Sequence, residues 1–136
     1  MTNAKIQMAN QWRNTQAQTI IIRALALIWH SSLGIGVSRL DREGSDITIV
    51  SFGKIIKVAQ AAANELYKEG ISVEIIDLRT VRPIDYLPII NSVKKTNRLL
   101  IVEEAWPLAS TSSELAFYVQ KNAFDYLDAP IKRITC

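Results

Sequence analysis

Short apolar runs that recur at helix-length intervals constrain this chain more than any other feature. ITIVSF (47–52), ISVEIIDL (71–78) and RLLIVEE (98–104) are dominated by β-branched and aliphatic residues. Such runs mark strands buried on both faces, as in a sheet flanked by helices. Between the first two, Ile55, Val58, Ala59, Ala62 and Leu66 share one helical face, the charged Lys54, Lys57, Glu65, Lys68 and Glu69 fall elsewhere, and Gly70 stands where a C-terminal cap belongs. After the second run, RTVRP reads as a loop stiffened by Pro83. Asp85 is the expected N-cap of a helix through Val93, with Pro88 tolerated in its first turn. TSSELAFYVQKNAF (111–124) predicts a third helix and IKRITC (131–136) a further strand, while 34–46 supply a short strand and a turn at Gly44. Strand–helix alternation of this kind predicts an α/β fold, an open and mostly parallel sheet with helices on its faces.

Charge is distributed unevenly along the chain. Residues 1–40 hold Lys5, Arg13, Arg23 and Arg39 and no acid, whereas the remainder holds 12 basic and 13 acidic residues, so the net +3 comes from the N-terminal part. Residues 1–33 therefore read as a basic leader and 34–136 as the domain. The leader has the composition of an organelle transit peptide, but TIIIRALALIW (19–29) is interrupted by Arg23 and shorter than a membrane span. The single Cys136 is the last residue, which excludes an internal disulfide or a cysteine-based metal site and favours a reducing, cytoplasmic compartment, with an organelle matrix as the alternative. The domain is charge-balanced and lacks a basic face interleaved with aromatics, so no nucleic-acid partner is expected.

Chemistry in an open parallel sheet is sought at the carboxyl ends of its strands: Gly53, Asp77 with Arg79, and Glu103 with Glu104. Successive strand residues point to opposite faces, which argues against Glu103 and Glu104 as a catalytic pair. Thr111 and Glu114 have capping-box spacing, so Ser110, Ser112 and Ser113 read as helix-start residues rather than nucleophiles. The only histidine, His30, lies in the leader. GIG (34–36) lacks the third glycine of a dinucleotide fingerprint and precedes a strand. DLRTVR (77–82) reads as a surface or interface loop held by an Asp–Arg contact, with anion binding through Arg79 and Arg82 as the alternative.

REGSDITIVSFGKIIKVAQAAANEL, EGISVEIIDLRTVRPID, SVKKTNRLLIVEEAWP and AFDYLDAPIKRIT follow one another in an order that resembles the C-terminal, transketolase-like domain of the pyruvate dehydrogenase beta subunit, the decarboxylating component of 2-oxoacid dehydrogenase complexes. The resemblance spans roughly Gly34 to Cys136. It implies thiamine diphosphate and magnesium as family cofactors, bound between the alpha subunit and a pyrimidine-binding domain that residues 1–33 do not match. It also implies a domain incomplete at its C-terminus, where the family continues with a Pro-rich stretch and a helix. On this reading the chain alone has no catalytic, cofactor-binding or metal-binding residues and is inactive by itself.

The implied partners are the pyruvate dehydrogenase alpha subunit, the subunit-binding domain of the dihydrolipoyl acyltransferase core, and a second copy as a homodimer. At the place of LDAP the family carries an aspartate that helps dock the acyltransferase, and that position is Asp128 here. ASTSSEL stands where many members have a Gly-rich turn. An autonomous, non-catalytic α/β binding or regulatory module with a basic targeting leader is the alternative function, and other transketolase-like enzymes, such as a ferredoxin-linked 2-oxoacid oxidoreductase, are a third.

Overall fold

A computed structural model describes residues 34–135; the leader 1–33 with His30, and Cys136, lie outside the described residues. Strand β1 (Arg39–Arg42) precedes β2 (Ile47–Ser51), α1 (Ile56–Lys68), β3 (Val73–Asp77), α2 (Tyr86–Thr96), β4 (Leu99–Val102), α3 (Thr111–Ala123) and β5 (Lys132–Ile134). The strands form one sheet in the order β1-β3-β2-β4-β5. β2, β3, β4 and β5 run parallel, and β1 closes one edge antiparallel to β3. The expected open, mostly parallel sheet is what forms.

Strand periodicity sorts the core into two layers. Ile49, Val73 and Ile75 pack with Ile56, Ala59 and Ala63 of α1 on one face. Val50, Ile76, Leu99 and Ile101 pack on the other face with Ile89 and Val93 of α2 and Leu115, Val119 and Ala123 of α3. Neighbouring residues such as Ile75 and Ile76 thus feed different layers, as alternation across a strand requires. Helices on both faces explain why these strands read as continuous apolar runs.

Three local expectations are corrected. The buried stripe of α1 is Ile56, Ala59 and Ala63, with Leu66 half-buried, whereas Val58 is 58% exposed. A run containing several alanines offers two adjacent faces of similar polarity, and periodicity does not choose between them. Asp85 occupies the N-cap position of α2 but makes no cap bond. Its carboxylate instead accepts from the N–H and Oγ of Ser38, at 3.0 and 3.1 Å. Helix α2 also continues past Val93 to Thr96, because Thr96 Oγ1 enters a buried hydroxyl network with Thr48, which in turn bonds Ser92 Oγ. Glycine is required at Gly44, where any Cβ would collide with the Val73 backbone, and at Gly70, which leaves α1 at φ +83.

Candidate functional site

At the carboxyl end of β4 the two adjacent glutamates part. Glu103 is 2% exposed, and both its carboxylate oxygens lie 3.2–3.3 Å from the Ser112 N–H in the first turn of α3. An acceptor there satisfies an otherwise orphaned donor and complements the helix dipole. Glu104 is exposed and pairs with Lys54 at 2.8 Å. Geometry therefore supplies no shared proton-transfer position for the two carboxylates.

The helix-start reading of the serines holds, but the capping box is corrected. Ser110, not Thr111, is the N-cap residue, and its hydroxyl contacts Ser112 Oγ and Ser113 Oγ rather than a backbone N–H. Glu114, the expected reciprocal partner, accepts instead from the Tyr86 hydroxyl at 3.3 Å. Burial, then the negative charge and hydrogen bond of Glu114, raise the Tyr86 pKa above its ordinary value. Arg133 of β5 donates to Pro107 O, Ser112 Oγ and Ser113 Oγ, fastening the 105–110 loop.

The DLRTVR loop is held by Asp77, but not through either arginine side chain of that loop. Asp77 Oδ1 accepts from the Arg79 backbone N–H at 3.0 Å, and Oδ2 lies 3.8 Å from the Arg39 guanidinium of β1. Arg82 lines a cleft of about 380 Å³ together with Tyr86, Ser110, Thr111 and Glu114. That cleft holds the Arg82 cation and the Glu114 carboxylate. Glu114 accepts from the Tyr86 hydroxyl and Ser110 Oγ turns to Ser112 and Ser113, so among the described residues neither the serine nor the threonine hydroxyl is paired with a base to activate it. Among the described residues, no three His, Cys, Asp or Glu side chains cluster to hold a metal ion. The described residues therefore offer no carboxylate cluster suited to magnesium.

Asp128 lies elsewhere. It precedes β5, and its N–H bonds Asn97 O, just before β4, at 2.9 Å. Because β4 and β5 are parallel, this places Asp128 at the amino end of the sheet, opposite the glutamates. Its side chain is exposed and makes no hydrogen bond or ion pair among the described residues. Around it stand Asp125, exposed, and Phe124 and Tyr126, 62% and 43% exposed. Phe124, Leu127, Asp128 and Pro130 line a surface hollow of about 310 Å³. A carboxylate beside exposed aromatic surface suits a partner that offers a basic group and an apolar anchor. Sequence reasoning missed Asn97; an Asn closing a helical pattern just before an apolar run is the signal for a left-handed cap that would have found it.

Comparison with known proteins adds to this geometry. The family model described as "Transketolase, C-terminal domain" matches residues 36–136. The mitochondrial pyruvate dehydrogenase E1 component subunit beta of Dictyostelium discoideum is 52% identical over 74% of this chain and 28% of its own length. The corresponding subunit of Rhizobium meliloti is 55% identical over 75% of this chain and 22% of its own. A solved structure described as "Split gene transketolase, inactive beta4 tetramer" superposes with a TM-score of 0.67 at 26% identity, covering 74% of this chain and 32% of that one. The chain thus spans under a third of the length of these relatives.

Proposed function

The chain belongs to the transketolase C-terminal domain family, and from that premise we propose that it is the beta-subunit portion of a thiamine diphosphate-dependent pyruvate dehydrogenase, serving subunit assembly and core docking rather than proton transfer. The observation that carries the reading is the 52% identity over 100 residues to a protein named as such a beta subunit. The parent reaction decarboxylates pyruvate and acetylates the lipoyl group of the acyltransferase core. In it this domain contributes surfaces, and the proposed docking residue is Asp128. The partners are the alpha subunit and the acyltransferase subunit-binding domain. Self-association is a third contact, for which the beta4 tetramer of the split-gene transketolase offers a precedent.

The relatives include a mitochondrial and a bacterial protein, which supports both the cytoplasm and an organelle matrix as compartments for such a subunit. Among the described residues no helix is long and apolar enough to cross a membrane.

Calorimetric titration of the full chain tests the proposal. Saturable association is expected with the alpha subunit and with an acyltransferase subunit-binding domain, the latter weakening as salt rises because exposed charges are screened. Thiamine diphosphate with magnesium should give no saturable heat. A chain that binds neither protein contradicts the assembly role and favours an autonomous module, and stoichiometric thiamine diphosphate binding contradicts the non-catalytic reading.

A further inference from the structure

Helix α2 ends at Asn97, whose backbone is left-handed at φ 61. Glycine is the usual residue in that conformation, and asparagine the common substitute that brings a side chain. Here the side chain is used. Asn97 Nδ2 donates to Tyr126 O at 2.7 Å, and Asn97 O accepts from the Asp128 N–H at 2.9 Å. One residue therefore holds the loop on both sides of Leu127. Lys94, one helical turn earlier, places its ammonium 5.0 Å from the centre of the Tyr126 ring, a cation–π contact that presses the same segment against α2.

The remainder of the loop has few restraints of its own. Leu127 closes a single turn onto Phe124 O at 3.0 Å and packs against the core. Asp128, Ala129 and Pro130 are exposed. An aspartate on such a segment has a fixed direction only to the extent that its backbone is held. A partner that must first order the loop gives up affinity for every rotation it freezes.

We infer that Asn97 is the positioning residue of the Asp128 docking loop: it fixes the carboxylate's place at the amino end of β5 without itself touching the partner. The inference rests on the docking reading of Asp128. It adds that affinity is set by the C-terminus of a helix some thirty residues earlier in the chain, roughly the separation of Asn97 from Tyr126 (29) and Asp128. Contacts of this kind act by preorganisation, and their loss shows in binding more than in folding.

The test uses the full chain carrying Asn97→Gly, which keeps the left-handed backbone and the carbonyl but removes the Nδ2 donor. Asn97→Asp serves as a second variant, close in shape and equally lacking the donor. Each should melt within a few degrees of wild type. Each should bind an acyltransferase subunit-binding domain about three- to tenfold more weakly, the range expected for one lost hydrogen bond. Without partner, the Asp128 amide should exchange with solvent about tenfold faster than in wild type.

Asp128→Ala should cost less in the Asn97→Gly background than in wild type, since a carboxylate whose place is no longer fixed has less to lose. Wild-type binding with full affinity retained in both Asn97 variants overturns the positioning inference alone, as do strictly additive losses. Wild-type protein that does not bind overturns the docking reading and with it the role of Asn97.

Discussion

The two ends of the sheet use their polar groups in opposite ways. At the carboxyl end nearly every group that looks chemically interesting is spent inside the fold: Glu103 on the start of α3, Ser51 Oγ on Val102 O at 2.7 Å, Glu104 on Lys54, and Asp77 on the Arg79 backbone. At the amino end of β4 and β5 the backbone is equally well bonded, yet the Asp128 carboxylate faces outward beside Phe124 and Tyr126. The lesson is that position in an α/β sheet gives a place to look for chemistry, while the destination of each hydrogen bond decides whether any is available. A carboxylate with a structural partner stabilises; one held in place without a partner is available to another molecule.

The sharpest way to break that comparison is at Glu103. Replacing it with Ala removes a buried acceptor from a helix start and leaves a void, and the expected loss is about 2 kcal/mol in urea unfolding. Glu103→Gln keeps an acceptor oxygen and should lose less. A neutral Glu103→Ala would mean that the carboxyl end is not sealed as described.

A smaller, pH-dependent effect belongs to Glu74, buried near the start of β3. Burial pushes its pKa up, but the Lys95 ammonium, Ser92 and the Gly44 N–H outweigh this and hold the carboxyl below its ordinary value of 4.5. A carboxyl with a depressed folded-state pKa adds stability that is complete above its unfolded pKa and is lost as pH falls through the folded one. The advantage of wild type over Glu74→Gln in thermal melts should therefore be constant near neutrality, shrink below about pH 4.5 and vanish in stronger acid. An advantage that persists in acid would contradict the charge-based account.

The smallest effects are expected at the exposed acids. Glu104→Ala should cost under about 0.5 kcal/mol, less still in high salt, because the ion pair with Lys54 is solvent-exposed. Asp128→Ala should leave stability unchanged within about 0.5 kcal/mol, as for a surface side chain without a structural partner. A large loss at Asp128 would make it a structural acid like Glu103 and erase the difference between the two ends.

The sheet was legible in the sequence because strand and helix periods are local signals, and adjacent apolar residues such as Ile75 and Ile76 announce burial on both sides. What local patterns did not carry is any bond between distant residues. Asp85 has the look of a cap but is drawn to Ser38, 47 positions away. The N-terminus of α3 sits among consecutive hydroxyls that serve a cap about equally well, so its register was one residue off. The side-chain acceptor for its first turn arrives from Glu103, outside any capping motif. Asp128 was reached through resemblance alone, since an exposed acid on a short loop has no periodicity to betray it. Asn97 was readable as a helix stop, but its grip on Tyr126 was not.

The most direct test of the claim that function resides at the amino end is one calorimetric series. An acyltransferase subunit-binding domain is titrated at low salt into wild type, Asp128→Ala and Glu104→Ala, each first shown to be folded. Asp128→Ala should weaken binding by about 1 to 3 kcal/mol through loss of a charge-assisted hydrogen bond, and Glu104→Ala should bind as wild type does. Equal affinity of Asp128→Ala and wild type, or a loss at Glu104 as large as that at Asp128, would contradict the account.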